Sequence, residues 1–231
     1  MEVVILCGGK GARLREYTEE IPKPLVIVGN KPILWHIMKY YSCFGHKDFI
    51  LCLGYKGEMI RDAFKDNKEW NITFLDTGLE SNKGQRLKLA RTYIKGSDFL
   101  VAYGDDLANV DIKKTLELHK SLNKTVTLTA VQMESQFGIL EINQTSEILN
   151  FKEKPMLDYW INGGFFVMKK TIFEEIQDGW DLEKETFNQL VKKREIIAYK
   201  HKGFWKCMNT FKDAEELNQL WNEGKTPWKI W

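Results

Sequence analysis

Cysteine is scarce in this chain, with four in 231 residues. Cys7, Cys43, Cys52 and Cys207 show neither CxxC spacing nor a grouping with the four histidines, which argues against a zinc site and against a disulfide framework. Each reads as a small buried apolar residue. Charge of one sign is missing as well: 34 basic side chains face 32 acidic ones, the net charge is +2, and no long basic run stands out. A nucleic-acid partner is therefore not expected, and the ligands should be small. The apolar run at the N-terminus is too short for a signal peptide and opens Met1-Glu2 without a positive leader. The expectation is a cytoplasmic protein with no membrane partner. No repeat or low-complexity linker interrupts the chain, and its length predicts one domain with a sizeable core, divisible near residue 108 into two lobes.

What is present begins at the first strand. Val3 to Cys7 is apolar and β-branched, the pattern of a buried parallel strand, and it runs into Cys7-Gly8-Gly9-Lys10-Gly11-Ala12-Arg13-Leu14. Glycines allow positive φ, so backbone N–H groups can converge on an anion, and Arg13 adds a planar fork suited to phosphate oxygens. The stretch predicts a phosphate-binding loop. It is neither the dinucleotide fingerprint, which needs a glycine where Leu14 stands, nor the triphosphatase loop, which needs Gly-Lys-Ser/Thr at its end. Shortly downstream, Pro22 and Pro24 flank Lys23 and restrict the backbone on both sides of that cation.

Periodicity then predicts alternating elements. Helices are expected at Pro32 to Phe44, with Gly45 just past the end, at Glu58 to Phe64 and at Gln85 to Tyr93. Strands are expected at Phe49 to Leu53, Ile72 to Leu75 and Phe99 to Tyr103, the last entering Gly104-Asp105. This is βαβ wiring, which places ligands at the carboxyl ends of the strands. Thr125 to Val131, Ile139 to Ile142 and Ile148 to Lys152 are strand-like with short turns, predicting an antiparallel portion that joins the sheet. Gly163 to Met168 reads as a further central strand, and helices are expected at Thr171 to Gln177, Glu183 to Lys193 and Lys212 to Asn222.

The glycine loop, Arg13 and the proline-flanked Lys23 together resemble the signature of nucleotidyltransferases that join a nucleoside triphosphate to a sugar phosphate. The resemblance extends through Lys31 to Lys39, Lys47-Asp-Phe-Ile, Gly54-Tyr-Lys-Gly57, Tyr103-Gly-Asp105, Ile161 to Val167 and Gly203-Phe-Trp205. Within that superfamily the segments look most like the glucose-1-phosphate cytidylyltransferases, over nearly the whole chain. The fold this implies is α/β and Rossmann-like: a mixed, mostly parallel central sheet flanked by helices, with a smaller antiparallel portion. A nucleotide-binding lobe would span about residues 1–108 and an acceptor-binding lobe 109–231.

Nucleotidyl transfer brings an acceptor phosphate oxygen in line with the α-phosphorus of the triphosphate and expels pyrophosphate. No general base is required, because a phosphate monoester has its second pKa at about 6. On the resemblance, Arg13 and Lys23 are the catalytic cations. CTP would lie against Leu6, Gly8, Gly9, Gly11, Ala12, Arg13, Thr77, Gly78, Arg86, Gly104 and Asp105. The acceptor would meet Lys23, Glu153, Lys154, Asn162, Gly163 and Trp205. Magnesium would sit on Asp105, a carboxylate at a strand end suited to a hard cation, and on Asn209, with Asp106 and Asp111 as weaker candidates. A homo-oligomer is implied as well.

This sequence departs from the pattern at several points. Asn209 stands in Met208-Asn209-Thr210 where the family has an aspartate, Ala12 replaces a loop threonine, Gln85 replaces a glycine, and the segment from Phe64 to Thr73 is shortened. Three readings follow: a CTP-dependent cytidylyltransferase acting on glucose 1-phosphate or a related sugar phosphate; the same chemistry on a non-sugar phosphate such as the phosphoglutamine of capsule phosphoramidate pathways; or a non-catalytic nucleotide-binding regulatory subunit.

Overall fold

The structure, a computed structural model, describes residues 1–11, 14 and 19–231. Its strands in chain order are β1 (Val3–Leu6), β2 (Ile27–Val28), β3 (Lys31–Pro32), β4 (Asp48–Leu53), β5 (Asn71–Asp76), β6 (Asp98–Tyr103), β7 (Asp106–Ala108), β8 (Val126–Val131), β9 (Ile139–Ile142), β10 (Ile148–Lys152), β11 (Ile161–Asn162), β12 (Phe166–Lys169), β13 (Ile196–Lys200) and β14 (Trp205–Cys207). The α-helices are α1 (Ile33–Cys43), α2 (Gly57–Phe64), α3 (Lys83–Ala90), α4 (Ile112–Leu122), α5 (Ile172–Glu175), α6 (Asn188–Lys192) and α7 (Phe211–Asn222). A π-helical stretch at Leu182–Phe187 leads into α6.

One sheet carries the molecule. From β5 through β4 and β1 to β6 the strands are parallel. β12 then runs antiparallel between β6 and β8, and β13 lies parallel on the far side of β8. β11 pairs with β8 in the same column as β12, and the sheet crosses residue 108 without a break. β1 shows why it is central. All four of its residues are buried, and successive side chains point to opposite faces. Val3 and Ile5 enter the core packed by α1 and α7, whereas Val4 and Leu6 enter the core packed by α3 and the 172–190 segment. Burial of each such side chain contributes about 1.5–3 kcal/mol, so this strand strongly fixes the sheet's register.

Local chemistry sets the helix ends. Pro32 proves to be the N-cap of α1 rather than part of it, and Gly45 takes φ 86 just beyond the helix, where a left-handed residue closes the last turn. α3 starts earlier than periodicity suggests, because Asn82 and Gln85 form a capping box.

The second half corrects the expectation most. β8 belongs to the main sheet, but β9 and β10 pair only with each other and do not join it. β13, with three of its five residues half-buried, and the short pairs β2–β3 and β7–β14 were not foreseen; the paired strands are two or three residues long, too brief to show period-two alternation.

Candidate active site

The parallel strands end on one edge of the sheet. β1 delivers Cys7 to Gly11, β4 delivers Gly54, β5 delivers Thr77-Gly78, and β6 delivers Gly104-Asp105. Lys23 starts a 3₁₀ turn, Lys23–Leu25, entered from Pro22 with φ −68. Pro24 is buried, and a side chain at Gly104 would come within 3.4 Å of its ring and 3.3 Å of the Leu6 carbonyl. A glycine at 104 therefore lets the Pro-Lys-Pro turn lie directly over the end of β6. β14 pairs Cys207 with Asp106, and the Met208 N–H donates to the Asp105 carbonyl at 2.9 Å, which sets Asn209 beside Asp105.

The result is a three-residue centre built from segments far apart in sequence. The Lys23 ammonium donates to the Asp105 carboxylate and, at 3.1 Å, to the Asn209 side-chain carbonyl. Lys23 and Asp105 are only 11% and 22% exposed at their side chains, so the pair is shielded from solvent screening. Asp106 lies deeper. Burial, followed by repulsion from Asp105, pushes its carboxyl well above the ordinary carboxylate range, and one of its oxygens has no hydrogen-bond partner among the described residues. Burial likewise pushes the neighbouring Cys207 thiol up. A ligand atom from each of Asp105, Asp106 and Cys207 lies within 4.8 Å of the others. A hard divalent cation takes oxygen rather than sulfur, so Asp105 and the Asn209 carbonyl are the fitting donors. The Lys23 ammonium now bridges these two groups, which marks the place as one that accepts positive charge. Asp111, by contrast, caps α4 by accepting from the Lys114 N–H at 3.0 Å, and its side chain is committed there.

The loop after β1 behaves differently from the expectation. Gly8 and Gly9 do not take positive φ; Gly11 does, at 62°. Gly8 is required for space. A Cβ there would sit 2.0 Å from the Nη1 of Arg86. Arg86 is 4% exposed, and its guanidinium donates to the carbonyls of Leu53 at 3.0 Å, Gly78 at 2.9 Å, Gly8 at 3.0 Å and Leu79 at 3.2 Å, and to the Thr77 hydroxyl at 2.6 Å. The predicted Gly8, Thr77, Gly78 and Arg86 do converge, but the arginine's terminal nitrogens are spent on holding three loops together. Leu6 is buried at the end of β1, Gly9 is exposed with no described neighbour within 4 Å of where a Cβ would sit, and Ala12 and Arg13 lie outside the described residues.

On the other flank, Trp205 Nε1 donates to the Gly163 carbonyl at 2.9 Å. Asn162 accepts from the Gly164 N–H at 3.0 Å and donates to the Tyr103 hydroxyl at 3.2 Å. Tyr103 donates to Glu183, which Lys83 also pairs with at 2.6 Å. Burial raises the Glu183 carboxyl and, still more, the Tyr103 phenol. Asn162, Gly163 and Trp205 are thus brought together. Glu153 and Lys154 are exposed at the base of the β9–β10 hairpin, and among the described residues neither hydrogen bonds to this cluster. Sequence reasoning missed Tyr103, Lys83 and Glu183. The first adjoins Gly104-Asp105 and could have been found; the other two carry no local signal.

This wiring, with a cation and a carboxylate meeting at the strand ends, is accompanied by clear relationships. The chain belongs to the nucleotidyl transferase family, whose model matches residues 2–223. It is 43% identical over 257 aligned positions to the glucose-1-phosphate cytidylyltransferase of Salmonella typhi, and 40% identical over 255 to the probable glucose-1-phosphate cytidylyltransferase of Bacillus subtilis, with all of each chain covered. Among solved structures it is similar to HddC from Yersinia pseudotuberculosis complexed with GMP-PN, at a TM-score of 0.74 and 27% identity, over 95% of this chain and 99% of that one. The fold is shared with apo UDP-glucose pyrophosphorylase at a TM-score of 0.75, over 97% and 98% of the two chains, at 16% identity. No described helix is long and apolar enough to cross a membrane.

Proposed function

We propose that this protein transfers the cytidylyl group of CTP to glucose 1-phosphate or a closely related sugar phosphate, in the cytoplasm. The observation that carries the reading is the convergence of Lys23, Asp105 and Asn209 at the strand ends, in a chain aligned over its full length with cytidylyltransferases. A phosphate oxygen of the acceptor forms a bond to the α-phosphorus of CTP as the bond to the β-phosphate oxygen breaks. Pyrophosphate leaves, and a CDP-linked sugar results. The negative charge of two phosphate groups must be neutralised where they meet, and Lys23 is held there between two oxygen acceptors with its charge preorganised. Arg13 would answer the charge on the departing pyrophosphate. Magnesium would be held by Asp105 and Asn209 and would supply charge neutralisation across the phosphates. Arg86 keeps the loops that face the nucleotide in fixed register. Trp205, Asn162 and Gly163 would form the acceptor side, with Glu153 and Lys154 reaching in from the hairpin base.

The full-length relatives favour a sugar phosphate over phosphoglutamine, and the cation–carboxylate centre argues against a purely regulatory subunit. The test is pyrophosphate release by the purified protein with magnesium, each of CTP, UTP, ATP and dTTP, and a panel of phosphates that includes glucose 1-phosphate and phosphoglutamine. Release confined to CTP with a sugar phosphate is expected. Equal rates with all four triphosphates, or turnover with phosphoglutamine alone, would refute the assignment.

A further inference from the structure

Tyr103 ends β6, one glycine before Asp105, and is the hub of a hydrogen-bond chain that the transfer chemistry does not use. Its hydroxyl donates to Glu183 Oε1, and the Lys83 ammonium reaches the same oxygen at 2.6 Å while lying 5.4 Å from the centre of the tyrosine ring. On its other side the hydroxyl accepts from Asn162 Nδ2 at 3.2 Å. Elements remote in sequence are fitted closely to make this chain. A Cβ on Gly84 would come within 2.3 Å of the Trp180 carbonyl oxygen, so α3 lies tight against the 180–182 segment and brings Lys83 beside Glu183. Glu183 itself sits in the π-helical turn, a form that recurs at functional sites. A Cβ on Gly164 would lie 3.0 Å from the Tyr103 ring, and that glycine takes φ 71, so the 162–164 loop rests directly against the phenol.

The chain has a direction. A carboxylate paired with an ammonium only accepts, so the Tyr103 hydrogen is committed to Glu183 and its oxygen is left to accept. An N–H of Asn162 must then face Tyr103. The Gly164 N–H, which only donates, meets the other end of the carboxamide at 3.0 Å, and that end is therefore the oxygen. Both neighbours select the same one of the two amide orientations. Asn162 is exposed, and among the described residues its second N–H has no hydrogen-bond acceptor.

We propose that Glu183 is a positioning residue for the acceptor substrate: through Tyr103 it locks the Asn162 carboxamide so that one N–H is presented to a hydroxyl or phosphate oxygen of the acceptor. The proposal rests on the reading that Asn162 faces the acceptor. Glu183 touches neither substrate and acts only through Tyr103. Without its carboxylate the tyrosine hydroxyl can turn and donate elsewhere, and the carboxamide loses one of the two partners that set its orientation.

The experiment is steady-state pyrophosphate release by the full chain with CTP, magnesium and whichever phosphate the wild type turns over, so that failure of the proposed reaction shows in the wild type and failure of the relay only in the variants. Glu183→Leu and the isosteric Tyr103→Phe should each raise KM for the acceptor about tenfold, the worth of one specific hydrogen bond, by more than kcat falls and with KM for CTP unmoved. Glu183→Gln keeps an accepting oxygen and should recover most of that loss. In an Asn162→Ala background Glu183→Leu should add little, because the group it positions is already gone. Independently of turnover, the two side-chain amide protons of Asn162 should shift in 15N-correlated NMR spectra of Glu183→Leu. An unchanged acceptor KM in Glu183→Leu and Tyr103→Phe, an equal rise in KM for both substrates, full additivity with Asn162→Ala, or unshifted Asn162 amide protons would each overturn the inference.

Discussion

Replacing Gly8 by alanine puts a methyl carbon 2.0 Å from Arg86 Nη1 and 2.3 Å from its Cζ. A guanidinium at the end of a flexible chain could ordinarily step aside at little cost. Here it cannot, because its terminal nitrogens hold five oxygens from three loops. The size of the effect follows from what each oxygen keeps when the arginine moves. The Leu53 carbonyl retains the Thr77 N–H at 3.0 Å and the Gly8 carbonyl retains the Tyr55 N–H at 3.1 Å, so neither is orphaned. The Gly78 and Leu79 carbonyls are only partly buried and can turn to water. What is lost is the charge-assisted part of the contacts, worth about 1.5–3 kcal/mol each but far from additive. A loss of about 2–4 kcal/mol is expected for Gly8→Ala, read by urea unfolding, along with a rise in KM for CTP that exceeds the fall in kcat. Arg86→Met keeps the apolar stem and removes the fork, and should lose a similar amount. Arg86→Lys should recover little, since an ammonium cannot serve five acceptors in one plane. The double variant decides the mechanism: if Gly8→Ala acts by displacing Arg86, combining it with Arg86→Met should cost little more than either alone. Full additivity, or a single-variant loss under about 1 kcal/mol, would refute the reasoning.

Lys23→Ala should lower turnover by about 10²–10³-fold, the scale of one preorganised donor, with the unfolding midpoint nearly unchanged; near-wild-type kcat would show that the cation takes no part in the transfer. Asp105→Ala should abolish pyrophosphate release, whereas Asn209→Asp should tighten magnesium binding, read by titration of the CTP complex, without being needed for turnover; activity confined to the aspartate variant would reverse that assignment. His36, His46 and His119 have their pKa values lowered by burial. The unfolded chain therefore takes up protons that the folded one refuses, and the stability these groups contribute is present above their ordinary value near 6.5 and lost as pH falls through the folded values. Urea unfolding should show stability declining on acidification below that point, by at most about 1.4 kcal/mol per pH unit for each histidine; a flat profile would show that these rings protonate in place.

Much of the parallel half of the fold was legible in the chain alone. Val3 to Cys7, Phe49 to Leu53 and Phe99 to Tyr103 are apolar runs because parallel strands are buried on both faces, and glycine and proline punctuate the chain where ligand loops must begin. Lys23 and Asp105 stood out for the same local reason, being charged residues fixed by prolines or set at a strand end. The tertiary structure decided the rest. That Asn209 shares Lys23 with Asp105 depends on β14 pairing with β7, two three-residue strands with no periodic signal. That Arg86 is a clamp, and that Gly8 is small to make room for it, depends on two residues 78 positions apart in the chain returning to one point. Glu183 enters through a π-helical turn, and the ribbon of β9 and β10 keeps the alternation of a sheet strand yet stays apart from the sheet. Pattern in a sequence records which face of an element is apolar; which surface covers that face is settled by the packing of elements remote along the chain.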